Sequence, residues 1–260
     1  RTMSLYESGD SSGDVSLMDL CNGKMMPKMT GEVDLRKIIE YIVRGGWPAS
    51  LGLPVESAAL LPKEYLEAVL NDDIYRVDGV KRNTHKMRLL LRSLARNEST
   101  TVSNKTLKND IKAIADYLNI LDRLFIIDNQ KPFSTKIRSS VRIKQSEKRH
   151  FCDPSLACAL LNITPNMLLN DLETLEFLFE SLCERDLKIY AESIDAHIYH
   201  YQDYKEREID TIIELNDGRW CAVEIKLGAN QIESAAENLK KIYKEMEQDP
   251  KSILPSAMII

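Results

Sequence analysis

The chain has 260 residues, enough for one large domain or two to three small ones, and its 43% hydrophobic and 29% charged content is ordinary for a globular protein. Its net charge of -5 excludes a generally basic surface, so any contact with nucleic acid must come from a local basic patch. No apolar run approaches the roughly 20 residues of a membrane span, and the opening Arg1-Thr2-Met3 is not a signal peptide, which predicts a cytoplasmic protein without a membrane partner.

The cysteine pattern also favours a cytoplasmic location. Cys21, Cys152, Cys158, Cys183 and Cys221 contain no C-x-x-C pair. Zinc sites use such pairs, and disulfide frameworks belong to small secreted domains. We therefore predict buried thiols in a reducing cytoplasm.

Both ends of the sequence indicate that it is a piece of a longer protein. The last residues, "SAMII", stop inside an apolar run of strand character. The opening "RTMSLYESGDSSGDVSL" is typical of the end of a strand followed by a polar loop. We expect part of the function to lie outside this sequence.

The first predicted elements are helices, which occupy residues 20 to about 80. In "DLRKIIEYIVRGGWP" the apolar residues from Leu35 to Val43 recur at helical spacing. Gly45, Gly46 and Pro48 are expected to end this helix. A second helix is predicted in "LLPKEYLEAVLNDDIYRV".

The next stretch has the element order of a winged helix-turn-helix. A capped helix in "NTHKMRLLLRSLARNEST" precedes a short helix in "SNKTLKNDI" and a longer one in "IADYLNILDRL", and an apolar strand, "FIID", follows. The join around Ile111, Lys112 and Ala113 is short for this motif, which leaves the recognition helix open.

A basic stretch, "KIRSSVRIKQSEKRH", would form the wing or an exposed hairpin. Lysine and arginine contacts to phosphate dominate nucleic-acid affinity. A charged, solvated hairpin without a ligand is an equally open alternative. The candidate nucleic-acid-binding residues are Lys136, Arg138, Arg142, Lys144, Lys148 and Arg149.

After "FCDPSLACALL" the pattern changes to that of an α/β module. A long helix in "LETLEFLFESLCERDLKIY" precedes the strands "AHIYHYQ" and "REIDTIIEL". The turn "NDG" at 216–218 connects the second strand to "RWCAVEIKL". A helix in "QIESAAENLKKIYKEMEQ" and a strand in "AMII" complete the module. The predicted fold class is α+β: a mostly helical N-terminal part, then an α/β domain with a central mixed sheet.

The predicted hairpin places two acids opposite each other. Centring its turn on Asp217 pairs Asp210 with Glu224, and alternation along the strands adds Lys226 to the same face. The other face is predicted to be the core, formed by Ile209, Ile213, Cys221, Val223, Ile225 and Leu227. A third acid, Glu176 or Glu180, can join if the long helix lies across the carboxylate face.

Opposed carboxylates destabilise a strand pair unless a cation relieves their repulsion. Mg²⁺ prefers oxygen ligands and keeps several waters, so two or three carboxylates can hold it. Bound there, it would polarise a phosphate oxygen, and Lys226 could orient the attacking water. The alternative is a set of solvated residues joined by weak surface ion pairs.

The residues of this module resemble the PD-(D/E)xK, or restriction-endonuclease-like, superfamily. The matching positions are Glu180 in "FLFESLCERDL", Asp210 in "REID", and Glu224 with Lys226 in "VEIKLG". The resemblance implies that Glu180, Asp210 and Glu224 hold Mg²⁺ or Mn²⁺, and that Asp210, Glu224 and Lys226 are catalytic. The spacing of the helix leaves Glu176 open as the helix ligand.

The upstream segments resemble a family of prokaryotic AAA-type ATPases with a C-terminal domain of unassigned function. They are "TMSLYESG", "VRGGWPASL", "YLEAVLNDDI", "YLNILDRLFII" and "FCDPSLACALL". The resemblance implies the tail of an ATPase domain at 1–20, a helical linker at 21–80, a winged helix-turn-helix at 81–150 and the nuclease-like domain at 151–260. It implies an ATPase domain before residue 1 as a partner.

ATP is expected only in that preceding domain. The phosphate-binding loop G-x-x-x-x-G-K-[ST] is absent, since "CNGKMMPK" lacks the first glycine and has no hydroxyl after Lys24. The expected function is DNA-directed, metal-dependent phosphodiester hydrolysis coupled to an ATPase. The rival is a non-catalytic regulatory module that binds nucleic acid or protein, which the acidic net charge favours. The sequence is compatible with an oligomer.

Overall fold

The computed structural model describes residues 1–24, 33–104, 107, 114–136, 139–140 and 145–260. It divides into two compact units, each assembled from three segments of the chain. The first unit contains Arg1–Ser11, Gly31–Asn129 and Lys148–Leu182, and the second contains Ser12–Thr30, Gln130–Glu147 and Cys183–Ile260.

The element order follows the sequence pattern closely. The helices are α1 Leu17–Cys21, α2 Leu35–Arg44, α3 Val55–Ala58, α4 Leu60–Ala68, α5 Ile74–Asp78, α6 Thr84–Ala95, α7 Ile114–Arg123, α8 Pro154–Leu161, α9 Pro165–Asn170, α10 Leu172–Ser193 and α11 Ile232–Glu247. The strands are β1 His197–Gln202, β2 Glu208–Glu214, β3 Trp220–Val223 and β4 Ala257–Ile259. A π-helical turn, Val69–Asp73, joins α4 to α5. These elements confirm the α+β class.

Local capping explains where α2 and α6 begin and end. The Asp34 side chain accepts a hydrogen bond from the Lys37 N–H, and the Asn83 side chain accepts one from the Lys86 N–H. Helix α2 ends at Gly45, whose φ of 70° suits glycine best. The predicted starts and the glycine stop of these helices are confirmed.

The first unit is a helical assembly in which α2, α4 and α6 pack on α8. Apolar residues at helical spacing supply its interior. The largest fully buried side chains among them are Ile39, Ile42, Met87, Leu90, Leu91, Ile120, Leu121 and Leu156.

A close backbone contact in this unit explains the "GGWP" motif. Gly46 N donates a hydrogen bond to Asp153 Oδ2 (2.9 Å), and Met3 N donates one to Gly46 O (2.7 Å). The indole of Trp47 donates to Ser155 Oγ (2.9 Å), which itself donates to Asp153 Oδ1 (2.5 Å). Asp153, at the N-cap of α8, therefore joins segments that are far apart in sequence.

The predicted winged helix remains a prediction, although its longer helix is present as α7. The short helix in "SNKTLKNDI" and the join at 111–113 lie largely outside the described residues. The predicted strand "FIID" is an isolated antiparallel bridge between Ile127 and Phe151 rather than a regular strand.

The second unit contains a four-stranded mixed sheet with strand order β1-β2-β3-β4. The β1–β2 and β2–β3 pairs are antiparallel, and β3–β4 is parallel. The mixed sheet predicted for this part of the chain is therefore confirmed.

Both faces of this sheet are buried, whereas the sequence predicted one core face. Helix α11 packs on the first face, around Ile212, Trp220 and Ala222, and we name this the α11 face. The second half of α10 packs on the other face, around Ile213 and Cys221, which we name the α10 face. Ile209 was assigned to the wrong group, because it packs with the residues of the α11 face.

All five cysteines are free thiols, and Cys21, Cys158 and Cys221 are buried. No helix in the described part of the chain is long and apolar enough to cross a membrane.

We expect Gly46→Ala to destabilise the first unit by about 1–3 kcal/mol, because its Cβ would lie 2.1 Å from the Met3 carbonyl oxygen. The measurement is the urea denaturation midpoint. Gly52→Ala is the control, since Gly52 has a φ of +73° but no atom within 4 Å of the added Cβ. A loss at Gly46 no larger than that at Gly52 would show that the close contact relaxes easily.

Candidate functional site

The β2–β3 hairpin has the predicted register. Thr211 pairs with Val223 and Ile213 with Cys221, and the Leu215 N–H donates to the Arg219 carbonyl (2.8 Å) across the turn. Extending this register by one residue places Asp210 opposite Glu224.

The two residues of the E-x-K motif lie just beyond the end of β3, not within the strand as the sequence predicted. Strand β3 ends at Val223. The Glu224 N–H nevertheless donates to the Ile259 carbonyl of β4 (2.9 Å), which holds its backbone beside the sheet.

Asp210, Glu224 and Lys226 converge, and we name them the carboxylate–lysine cluster. The Lys226 Nζ lies 3.0 Å from Glu224 Oε1 and 3.2 Å from Asp210 Oδ2. The Ile225 N–H also donates to Asp210 Oδ2 (2.7 Å). The geometry predicted for these three residues is therefore present.

Burial strengthens the electrostatic interactions between the charged groups of the cluster. Asp210 is 7% exposed and Glu224 is 6% exposed. Burial raises the pKa of Glu224 above its ordinary value, the Asp210 carboxylate raises it further, and Lys226 partly offsets both. Burial alone would lower the pKa of Lys226, but the two carboxylates outweigh this effect and raise it.

One oxygen of the cluster is buried without a hydrogen bond. Within the described residues, Glu224 Oε2 has no hydrogen-bond partner. If all three side chains are ionised, two carboxylates and one ammonium leave a net charge of -1. The cluster therefore has an oxygen that can accept a further ligand.

The two predicted helix acids lie in the part of α10 that belongs to the first unit. The Glu180 carboxylate forms an ion pair with the buried Lys148 of that unit, and Glu176 is half-buried there. The part of α10 in the second unit packs against the α10 face through Leu187 and Ala191. The role of Glu180 as a metal ligand stays a prediction.

The sequence analysis missed a buried acid, Glu184. Its Oε1 accepts a hydrogen bond from Thr211 Oγ1 (3.0 Å), and Thr211 is the neighbour of Asp210 in β2. The sequence feature that could have identified Glu184 is its position one helical turn after Glu180 in "FESLCERDL". Glu184 therefore connects α10 to β2.

The structure places few of the basic residues where a phosphate could reach them. Lys136 is exposed and forms an ion pair with Asp249 (2.7 Å). Lys148 and Arg149 are buried, and Arg149 Nη2 donates to Asn104 Oδ1 (2.5 Å). The expectation that these two lie on an exposed hairpin is wrong. Arg138, Arg142 and Lys144 lie outside the described residues.

Comparison with known families gives two matches. Residues 35–167 match a domain of unknown function, DUF8612, and residues 175–257 match another, DUF4143. DUF4143 is a domain found in AAA-ATPase-associated proteins, and its match contains the whole carboxylate–lysine cluster. No curated protein and no solved structure matches the chain.

The raised pKa of Glu224 predicts a pH-dependent effect of Glu224→Gln. The folded state binds this proton more tightly than the unfolded state, so ionisation of Glu224 opposes folding above the raised pKa. Below the ordinary value of 4.5 both states carry the proton, and the effect disappears. We expect Glu224→Gln to raise the Tm of the EDTA-treated chain by about 2–4 °C at neutral pH. Near pH 4 we expect no change in Tm.

Thermal melts of both proteins across this pH range test the expectation. Asp217→Asn is the control, because Asp217 is an exposed acid of the same hairpin whose ion pair with Arg219 lies outside the cluster. A Tm gain that persists at low pH would contradict the assigned cause.

Proposed function

We propose a function for this chain, which belongs to the DUF8612 family, on the basis of the carboxylate–lysine cluster. The family model covers just over half of the chain, and its description assigns no activity. The proposed function is metal-dependent hydrolysis of phosphodiester bonds in DNA. One observation carries the proposal: the Lys226 ammonium lies within 3.2 Å of an oxygen of each of two buried carboxylates, and Glu224 Oε2 has no hydrogen-bond partner in the described part of the chain.

The donor set fits a hard divalent cation. Carboxylate oxygens are the ligands that Mg²⁺ and Mn²⁺ prefer. The net charge of -1 attracts a cation, and the buried Glu224 Oε2 can supply a ligand atom. In the proposal Asp210 and Glu224 hold Mg²⁺ or Mn²⁺.

A bound divalent cation would supply Lewis-acid polarisation of a phosphate oxygen and a water of lowered pKa. The chain's own residues then orient the reaction. Asp210 is fixed by the Ile225 N–H, so its carboxylate presents a preset direction to ligand and water. Lys226, which is protonated, stabilises the negative charge that develops on the phosphate and orients the attacking water.

The family matches support an ATPase context. DUF4143 occurs in AAA-ATPase-associated proteins, and we propose that this chain is the C-terminal part of such an ATPase, with ATP bound only by the preceding domain. The proposed partners are DNA and that ATPase domain. The nuclease-like fold of the second unit and the cytoplasmic location are parts of the same proposal.

A non-catalytic regulatory module is the second candidate. The burial of Lys148 and Arg149 favours it, because these residues cannot form the basic surface that a DNA-cutting domain would use. In that case the cluster is an internal ion-pair network of the sheet, and the chain binds its partner elsewhere.

Cleavage of linear and branched DNA in the presence of Mn²⁺ separates the two candidates. We expect the full chain to cleave, and Asp210→Ala and Lys226→Ala each to reduce the rate by about 100-fold or more, because each removes charge at the reacting centre. Mn²⁺ should also raise the Tm of the wild-type chain, but not that of Asp210→Ala.

Glu237→Gln is the matched control, because Glu237 is an exposed acid on α11 whose ion pair is with Lys240. It should cleave like wild type. Equal cleavage by all four proteins would identify a contaminating nuclease. No cleavage together with no Mn²⁺ stabilisation would favour the regulatory module.

A further inference from the structure

The Lys226 ammonium lies where a cation shared by Asp210 and Glu224 would lie. We infer that Lys226 is a latch: it neutralises the carboxylate pair in the metal-free protein, and a divalent cation must displace it to bind. This inference rests on the proposed cation site, but not on its catalytic activity.

The first support is geometric. Lys226 Nζ lies at nearly equal distances from the two carboxylates, 3.0 Å to Glu224 Oε1 and 3.2 Å to Asp210 Oδ2. These are charge-assisted hydrogen-bond distances, so the ammonium uses one lone pair of each carboxylate. A cation that bridges the same two oxygens competes for these lone pairs.

The second support is that Lys226 is the movable member of the cluster. Asp210 is fixed by the Ile225 N–H, and the Glu224 backbone is fixed by the Ile259 carbonyl. The Lys226 side chain is 25% exposed, against 10% for Asp210 and 8% for Glu224. Its flexible four-carbon stem can withdraw towards solvent while the Asp210 carboxylate keeps its hydrogen bond to the Ile225 N–H.

The third support is charge balance. With the ammonium in place the cluster has a net charge of -1, and without it the charge is -2. A divalent cation neutralises the second state fully. Since Coulomb attraction is strong at buried sites, the ammonium should both weaken cation binding and stabilise the cation-free fold.

Titration of Mn²⁺ into the EDTA-stripped full chain by calorimetry tests the latch. We expect Lys226→Gln to bind Mn²⁺ about tenfold more tightly than wild type, because a unit charge near the cation is removed. We also expect its metal-free Tm to be lower than that of wild type, and its Tm rise on adding Mn²⁺ to be larger. These two changes have opposite signs, which a simple loss of packing would not produce.

Lys240→Gln is the matched control, because it removes one lysine charge from α11, where Lys240 pairs with Glu237 outside the cluster. It should keep the wild-type affinity for Mn²⁺. An equal gain in affinity in Lys240→Gln would show a general charge effect and overturn the latch. Unchanged or weaker Mn²⁺ binding by Lys226→Gln would also overturn it.

DNA cleavage by the same wild-type sample distinguishes the two proposals. If Lys226→Gln binds Mn²⁺ more tightly and the wild-type chain does not cleave DNA, the result supports the latch and contradicts the hydrolytic function. If the wild-type chain cleaves DNA and Lys226→Gln shows no gain in affinity, the result supports the function and contradicts the latch. If no variant binds Mn²⁺, both proposals are contradicted.

Discussion

The register of the β2–β3 hairpin is the constraint on which the candidate site depends. Because side chains alternate along a strand, a slip of one residue would move Asp210 to the opposite face of the sheet from Glu224. The turn at 216–218 prevents this, since Gly218 adopts a φ of +83° and the Leu215 N–H bonds to the Arg219 carbonyl. A short turn far from the acids therefore determines that they meet.

Once the register is set, burial decides the electrostatics. Two carboxylates opposed at the surface would be solvated and their repulsion screened, whereas this pair is largely removed from water. The Lys226 ammonium, which lies within 3.2 Å of an oxygen of each carboxylate, offsets part of their repulsion.

The first unit depends on a contact between segments that are far apart in the sequence. Gly46 tolerates contact with both Met3 and Asp153 because no Cβ intervenes, and the N-cap carboxylate of α8 satisfies backbone and side-chain donors together. Trp47 adds a hydrogen bond to Ser155. The motifs "GGWP" and "FCDPS" are separated by about a hundred residues, and neither alone indicates the other. Their structural role is the contact that they form with each other.

The sequence by itself determined most of the described helices, the four strands of the mixed sheet and the hairpin register that brings Asp210 opposite Glu224, because these follow from local periodicity, capping and turn chemistry. Only the tertiary structure decided that both faces of the sheet are buried, because the position of α11 is a long-range packing outcome. It likewise showed that Lys148 and Arg149 are buried and that Glu184 contacts β2. A basic run has the same sequence pattern in solvent as in a buried ion pair, since the difference lies in the partners that folding brings to it.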